Sequence, residues 1–239
     1  MESWTRGEVL AFDLETTGID RFNDVPVSYA LVHIVDGYVT TSWSGLIDPG
    51  RDIPEDATAV HGISTERART EGMPLHQAVG LLTDAIVSAS GRGIPLAGMK
   101  LDYDLTIVET LARSFYAAGI VDRGWHGPVL DAGVLDRHFD PLRKGRRTLT
   151  DLCTHYGIDI GNAHDASADA IASARVLFAL ATRHAALWES DLAVLHDAQI
   201  VWHRDWTRDY DAWRRSEGMH PIDPRDFVWP VVPAVVSAA

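Results

Sequence analysis

The feature that most constrains this sequence is a short stretch near its start, residues 9–18, which reads VLAFDLETTG. It begins as an apolar run short enough for one buried strand and ends at a Thr-Thr-Gly turn. Because side chains alternate along a strand, Asp13 and Glu15 would project from the same face. Two carboxylates so close together repel each other unless a cation lies between them. The stretch therefore predicts a strand that ends at a metal site.

Composition limits how such a chain could bind a polyanion. Its 239 residues carry a formal net charge of -13 and are 46% hydrophobic, which is ample for a folded core. A chain this acidic is not expected to coat nucleic acid through a broad basic surface. Divalent metals bound at a carboxylate cluster would still reverse the local field, so phosphate groups could be held at one site.

Cysteine content and hydropathy indicate a soluble protein. The single cysteine, Cys153, excludes an intramolecular disulfide and a cysteine-rich zinc site, and we expect it to be a buried small apolar side chain. The first residues lack the basic start and apolar run of a signal peptide. No later segment is long and apolar enough to cross a bilayer. We therefore expect a cytoplasmic protein with no membrane partner.

Apolar periodicity predicts a mixed sheet with helices. Asp36 and Gly37 lie between two β-rich segments, and this dipeptide is a strong hairpin signal. The predicted strands after residue 18 cover 27–35, 38–47, 94–99 and 129–131, and the predicted longer helices cover 74–90, 100–118, 148–156 and 165–186.

Two further polar clusters lie farther along the chain. Residues 100–104 (KLDYD) occupy a strand-to-helix junction, which is where open α/β sheets tend to place their sites. In the second cluster, a helix that starts near Asp165 would place His164 at its mouth and Asp169 about one turn in. The two side chains could then face one site together.

Four carboxylates from three separated segments form one candidate metal site: Asp13, Glu15, Asp104 and Asp169. Carboxylates suit hard cations such as Mg²⁺ or Mn²⁺, and two such ions about 4 Å apart can clamp a phosphodiester. Histidine, with an ordinary pKa of about 6.5, suits a general base that takes a proton from the attacking water. His164 is the candidate for that role.

These clusters resemble the three motifs of the DEDDh 3′-to-5′ exonucleases, the DnaQ-like group that includes the proofreading subunit of bacterial DNA polymerase III. Residues 12–18 (FDLETTG) resemble the first motif, and Tyr103-Asp104-Leu105 resembles the second. The third corresponds to 164–169, with the histidine five places before the last aspartate. The order and separation of the motifs also match, and the resemblance covers residues 8–186.

The resemblance implies a fold, a chemistry and a pocket. The fold is α/β and RNase H-like, a mixed sheet of about five strands flanked by helices. The chemistry is the release of nucleoside 5′-monophosphates from the 3′ end of DNA with two divalent cations, Mg²⁺ or Mn²⁺. The resemblance also implies that the four carboxylates are metal ligands and that His164 is the general base. The side chains implied to bind the terminal nucleotide are Leu14, Thr16, Thr17, His61 and Tyr103.

The second motif departs from the family pattern. Lys100 stands where the family often has Asn, and Tyr103 stands where it has Phe. Asp102 is a competing candidate for the metal ligand. We favour Asp104 because it follows the aromatic residue directly and precedes an apolar helical run, whereas Asp102 is more simply explained as a helix cap. Lys100 could contact phosphate or remain solvated.

The sequence predicts three parts: an exonuclease domain over 1–186, an amphipathic, aromatic-rich helical extension over 187–217, and a proline-containing flexible tail over 218–239. The aromatic stripe of the extension is expected to pack against the domain, or else to dock a polymerase partner in trans. The basic run 141–147 is either a solvated loop or a phosphate contact.

Three functions stay open on sequence alone. The first is a DNA exonuclease that acts in proofreading or repair. The second keeps the chemistry but acts on short RNA, as oligoribonucleases do. The third is a partner-docking subunit with little intrinsic activity. A pocket that accepts or requires a 2′-hydroxyl would separate the first two.

Overall fold

The computed structural model describes residues 3–161 and 164–233. Six strands form one mixed sheet in the order β4-β3-β2-β1-β5-β6. The strand that exceeds the five expected is β4, a two-residue edge strand that pairs with the end of β3. The strands are β1 (Glu8–Thr16), β2 (Pro26–Val35), β3 (Tyr38–Asp48), β4 (Met73–Pro74), β5 (Leu96–Gly98) and β6 (Val129–Asp131).

The antiparallel half of the sheet is built on the predicted hairpin. β2 pairs with β1 and β3 in antiparallel fashion. Asp36 and Gly37, which connect β2 to β3, have φ values of 52° and 79°. Two consecutive positive φ values are typical of the tight hairpin turn whose twist matches that of the strands, so this prediction is confirmed.

Helices cover both faces of the sheet, as expected. They are α1 (Glu55–His61), α2 (Thr65–Glu71), α3 (Leu75–Gly91), α4 (Leu101–Tyr116), α5 (Ala132–Phe139), α6 (Leu149–Tyr156), α7 (Ala166–Arg183), α8 (Ala185–Trp188) and α9 (Leu192–Ser216). Side chains of β1 alternate between two cores. Val9 and Ala11 belong to the core that α7 covers, whereas Leu10 and Phe12 belong to the core that α3 and α4 cover.

The parallel half of the sheet sets one edge for a site. β1, β5 and β6 are parallel, so their carboxyl ends lie at the same edge, where α4 and α5 begin. β5 approaches β1 closely at its end. A Cβ atom at Gly98 would lie 2.8 Å from the carbonyl oxygen of Phe12, so only glycine fits there.

The C-terminal helix covers the free edge of β6. The expected extension is two helices, because α8 ends at Trp188 and Asp191 caps the start of α9. In α9, the Gln199 side chain accepts the Asp131 N–H at 2.9 Å and donates to the Val129 carbonyl at 2.7 Å. One amide therefore satisfies backbone groups that a further strand would otherwise pair.

The aromatic stripe of α9 divides into a packed part and an exposed part. Trp202 stacks on His138 of α5 with ring centroids 3.6 Å apart. Trp206 and Trp213 remain 38% and 51% exposed, and both stack on Tyr210. The Arg137 guanidinium of α5 lies 3.9 Å from the centre of the Trp206 ring, so packing against the rest of the chain reaches Trp206 and leaves Trp213 the more exposed ring.

Part of the expected flexible tail is packed against the protein in the residues described after 218. Trp229 is 4% exposed and Val232 is fully buried. The Val232 N–H donates to the Thr106 hydroxyl of α4 at 2.9 Å. Buried apolar side chains hold this segment against α4 and α9 despite its prolines, because their burial offsets the cost of ordering the chain. Residues 234–239 lie outside the described part.

The basic run 141–147 has a structural role that the sequence did not reveal. Arg143 and Arg147 both form ion pairs with Asp136, which is fully buried in α5. These two guanidinium groups are therefore engaged inside the protein, contrary to both earlier readings of the loop. Lys144 and Arg146 are exposed.

Two further expectations concern burial and membranes. Cys153 is buried and unpaired, as predicted, and burial raises the pKa of its thiol to about 11. Across residues 3–161 and 164–233, none of the helices has the length and apolar character needed to span a bilayer.

Candidate active site

Asp13 and Glu15 project from the end of β1 toward the α7 side of the sheet. They share the parity of Val9 and Ala11, whose side chains pack under α7. Leu14, between them, points the other way and is 7% exposed within the opposite core. The Leu14 side chain, which was expected to line the nucleotide pocket, therefore contributes to packing.

Asp104 reaches this strand from the first turn of α4. The start of that helix is fixed by Asp131 at the end of β6, whose carboxylate accepts the Leu101 N–H at 2.9 Å. Asp104 is buried. The charge of Asp104 is the strongest single neighbouring influence on Asp13, and the Leu14 amide favours the ionised form of Asp104. Asp104 of the second motif therefore lies close to Asp13 of the first.

The third cluster lies at the start of α7. Asp165 caps the helix by accepting the N–H groups of Ser167 and Ala168, and Asp169 follows in the first turn. His164 has a φ of 66°, in the left-handed region, and its N–H donates to Asp169 Oδ2 at 3.2 Å. One ligand atom each from Glu15, His164 and Asp169 lie within 4.8 Å of one another. The sequence-predicted residues therefore converge.

The carboxylates strongly perturb one another. Burial, followed by the charges of Asp104 and Asp169, holds the pKa of Asp13 well above its ordinary range. Burial and neighbouring carboxylates likewise raise the pKa of Asp104 and of Asp169. The pKa of Glu15 rises to about 7, because it is desolvated and faces Asp169 and Asp165. Such a cluster favours the binding of positive charge.

In the described part of the chain, burial raises the pKa of Asp169 and His164 lowers it in part, but no lysine or arginine pairs with the cluster. Within residues 3–161 and 164–233, no ion pair involves Asp13, Glu15, Asp104 or Asp169. Asp169 Oδ1 is buried and lacks a hydrogen-bond partner there. A buried carboxylate oxygen without a donor fits a metal ligand, and all-oxygen donors suit Mg²⁺ or Mn²⁺. The residues present fit a divalent cation.

Asp102, the competing ligand, has a different partner. Its carboxylate binds Arg21 Nη1 at 2.8 Å. It is not a helix cap either, because Lys100 occupies that position with a φ of 59° and no side-chain cap bond. Lys100 is exposed. The interpretation of Asp102 as a cap was therefore wrong, whereas the preference for Asp104 agrees with the geometry.

The residues after Glu15 stabilise a turn. The Tyr103 hydroxyl donates to the Gly18 carbonyl at 2.6 Å and lies 3.1 Å from the Thr16 hydroxyl, which also donates to Gly18. Burial raises the pKa of Tyr103 to about 12. Thr17 is buried and donates to Asp24 at 2.7 Å. These three side chains, expected in the nucleotide pocket, form hydrogen bonds within and beside this turn.

His61 lies beside His164 at the end of α1. Its Nδ1 accepts the Ile63 N–H at 3.1 Å, so Nε2 carries the proton in the neutral ring. That Nε2 is buried without a hydrogen-bond partner in the described part of the protein. Burial lowers the pKa of His61, and nearby His164 adds to the effect. Both histidines line a cavity of about 250 Å³, so the placement suits the expected substrate contact.

Comparison with known families accounts for this arrangement. The sequence model of the RNase T exonuclease family matches residues 10–177, which include all three acidic clusters. The chain belongs to this family of DnaQ-like 3′-to-5′ exonucleases. The matched region ends before α8 and α9, so the family itself does not account for the C-terminal helices.

The similar proteins are much longer than this chain. It is 26% identical over 176 residues to the PolC-type DNA polymerase III of Latilactobacillus sakei, and 28% identical over 173 residues to that of Clostridium perfringens. The matches cover 72% and 71% of the chain but only 11% of each relative. Exonuclease I of E. coli in complex with a dA16 oligonucleotide superimposes with a TM-score of 0.65 at 18% identity, over 83% of this chain and 44% of that one. The structural likeness confirms the fold.

Sequence reasoning missed two residues that build the site. Asp131 fixes the start of α4 and caps α5 through the N–H groups of Gly133 and Val134. Its place at the end of a short predicted strand was the available signal. Arg21 binds Asp102, 81 positions later, and no local pattern could have revealed that pairing.

Proposed function

We propose that this exonuclease hydrolyses the terminal phosphodiester at the 3′ end of DNA and releases nucleoside 5′-monophosphates. The observation that carries the proposal is the convergence of Asp13, Glu15, Asp104 and Asp169, from three separated segments, at one edge of the sheet beside His164. Four acidic side chains without a basic partner are costly unless they hold cations. This cost is the reason to assign them a catalytic purpose.

In this proposal the four carboxylates hold two divalent cations, Mg²⁺ or Mn²⁺. When bound, the two ions would activate water and stabilise the leaving oxygen of a phosphodiester. Glu15 and Asp169 lie close enough to His164 to orient its ring. Asp169 also accepts the His164 N–H, which fixes the backbone of the histidine relative to that carboxylate.

His164 would act as the general base. Its ring takes a proton from the attacking water, whose oxygen forms a bond to phosphorus while the bond from phosphorus to the 3′ oxygen breaks. A proton returns to the 3′ oxygen, so the shortened strand ends in a hydroxyl and the terminal nucleotide leaves as its 5′-monophosphate. His61, whose Nε2–H lies near the Thr16 backbone and whose ring lines the same cavity, would donate to the terminal nucleotide.

The comparisons favour DNA over RNA as the substrate. The relatives are DNA polymerases, and the superimposed exonuclease I holds a DNA oligonucleotide. A zinc-bound form of that exonuclease I complex with single-stranded DNA is a further structural neighbour. Action on short RNA is the alternative. The place of action in this proposal is the cytoplasm, in proofreading or repair.

A polymerase partner in trans is the second element of the proposal. The PolC-type relatives carry their matching segment within a much longer polymerase, of which this chain spans 11%. Trp206 and Trp213 of α9 are exposed aromatic side chains available to a partner. If the chain had little activity of its own, we would infer that docking a partner, and not catalysis, is its main function.

Digestion of matched 5′-labelled single-stranded DNA and RNA oligonucleotides with Mg²⁺ or Mn²⁺ tests the proposal. We expect a ladder that shortens from the 3′ end, abolished by EDTA and by Asp169→Ala, with DNA as the faster substrate. Faster cleavage of RNA would replace the substrate class and keep the chemistry. A folded, metal-loaded protein that shortens neither strand would contradict the catalytic proposal and favour the docking subunit.

A further inference from the structure

The loop that follows β1, residues 17–25, is closed by hydrogen bonds at its base. The Thr17 N–H donates to the Val25 carbonyl at 3.0 Å, and the Thr17 hydroxyl donates to Asp24 at 2.7 Å. A Cβ atom at Gly18 would lie 2.5 Å from Asp24 Oδ2, so the Asp24 carboxylate occupies the space beside the glycine. The loop begins two residues after Glu15 and therefore borders the site.

Arg21, within this loop, joins three separated parts of the chain. Its Nη1 lies 2.8 Å from Asp102 Oδ2, and its Nη2 lies 3.1 Å from Asp226 Oδ1. Asp102 lies in the first turn of α4, two residues before Asp104. Asp226 belongs to the C-terminal segment. A planar guanidinium that binds two carboxylates fixes both direction and distance, which a lysine could not do.

The C-terminal segment, residues 222–232, is called the clasp below. In its first half, the Asp226 carbonyl lies 2.8 Å from His203 Nε2 of α9. At its end, the Val232 N–H donates to the Thr106 hydroxyl, which itself donates to the Asp102 carbonyl at 2.5 Å. The clasp also covers the loop, because the Arg225 guanidinium lies 4.5 Å from the centre of the Phe22 ring.

The polar contacts of the clasp include links to both sides of Asp104, although packing alone would not require this. Burial of Trp229 and Val232 would suffice to hold the segment on the protein. The polar bonds instead reach α4 on both sides of Asp104, at Asp102 through Arg21 and at Thr106 directly. They also reach the loop beside Glu15. The clasp thus contacts the elements that carry or border the catalytic carboxylates.

We propose that the clasp aligns the active site, with Arg21 and Asp226 as positioning residues for the 17–25 loop and the first turn of α4. The inference rests on the proposed exonuclease function. Breaking the Arg21–Asp226 contact would let the loop and the first turn of α4 shift relative to β1. Small misplacements at a reacting centre are costly even when the altered residue touches no substrate.

The test uses the full chain with Arg21→Gln, Asp226→Asn, the double variant and Arg21→Lys. We expect kcat/KM of each Gln or Asn variant to fall about 10-fold, through a lower kcat together with a higher KM, because the carboxylates and the loop are both misplaced. The double variant should lose no more than Arg21→Gln alone, because that substitution already removes the Arg21–Asp226 contact. Arg21→Lys should recover part of the loss. Arg123→Gln is the matched control, since it breaks a surface ion pair of 2.6 Å with Asp84 of α3.

Binding of thymidine 5′-monophosphate in the presence of Mn²⁺ gives a readout that does not depend on turnover. We expect weaker binding by the Arg21→Gln and Asp226→Asn variants, with Tm close to that of the Arg123→Gln control. If the wild type has no nuclease activity but still binds the nucleotide more tightly than the two variants do, the exonuclease proposal fails and the clasp proposal stands. Activity and binding within about twofold of the control would overturn the clasp. A lower Tm with unchanged kcat and KM, or additive losses in the double variant, would overturn it as well.

Discussion

The backbone N–H of His164 donates to Asp169 Oδ2 at 3.2 Å, so the candidate general base and a candidate metal ligand are bound to each other. The other oxygen of the same carboxylate, Oδ1, is buried without a partner in the described part of the protein. One carboxylate therefore faces the histidine backbone with one oxygen and the site with the other. We therefore expect substitution of His164 and substitution of Asp169 to have different consequences.

His164→Ala should reduce kcat by about 10²- to 10⁴-fold, which is the usual contribution of a general base. Because all four carboxylates remain in this variant, it should keep most of the thermal stabilisation that Mn²⁺ gives. Asp169→Ala should lose both. Turnover of a DNA oligonucleotide and a Tm titration with Mn²⁺ measure the two properties separately. Loss of metal stabilisation in His164→Ala to the same extent as in Asp169→Ala would contradict the assignment.

Asp104→Asn should stabilise the metal-free protein while it inactivates the enzyme. Burial and neighbouring charges raise the pKa of Asp104 in the folded state, so the ionised carboxylate disfavours folding at neutral pH. With a folded pKa above the unfolded one, the contribution to stability is favourable at low pH and is lost as pH rises through the folded pKa. We expect a gain of about 1 to 3 kcal/mol in the free energy of unfolding at pH 8 in EDTA.

Chemical denaturation of both proteins at pH 5 and pH 8 would check this expectation, with the gain smaller at pH 5. Asp122→Asn is a suitable control, because that exposed carboxylate binds Arg113 and its pKa is lowered rather than raised. A less stable Asp104→Asn protein in EDTA would contradict the prediction.

Metal affinity should rise with pH across neutrality. The pKa of Glu15 is raised to about 7 without metal, so the side chain is largely protonated at pH 6 and ionised at pH 8. A bound cation needs the ionised form and must displace that proton. The apparent Kd for Mn²⁺ should fall by up to about tenfold per pH unit below pH 7 and level off above it. Calorimetry in two buffers of different ionisation enthalpy would count the released protons, and a pH-independent Kd would refute this coupling.

The sequence predicted the site better than it predicted what surrounds it. Alternation along β1 correctly placed Asp13 and Glu15 on one face, because the period of a strand is set by the backbone alone. The cap at Asp165 likewise places His164 and Asp169 within one turn. Features that follow from local backbone geometry can be derived from neighbouring residues.

Long-range polar pairing could not be derived in the same way. Asp102 looked like a cap because its partner, Arg21, is distant in sequence, and Arg143 looked solvated because its buried partner Asp136 lies in another element. The C-terminal segment looked loose because its prolines exclude regular structure. Its order depends on tertiary burial of Trp229, which no local pattern records.

Asp136 offers a test of the structural role given to the basic run. Its buried carboxylate receives Arg143, Arg147 and the hydroxyl of Tyr156, the last at 2.8 Å. Asp136→Ala would leave two guanidinium groups without their buried partner, so we expect a loss of about 3 to 5 kcal/mol in the free energy of unfolding. Urea denaturation measures it. Arg146→Ala, at an exposed position of the same run, should change stability by less than about 0.5 kcal/mol. If Arg143→Ala instead left stability intact and weakened DNA binding, the run would be a phosphate contact after all.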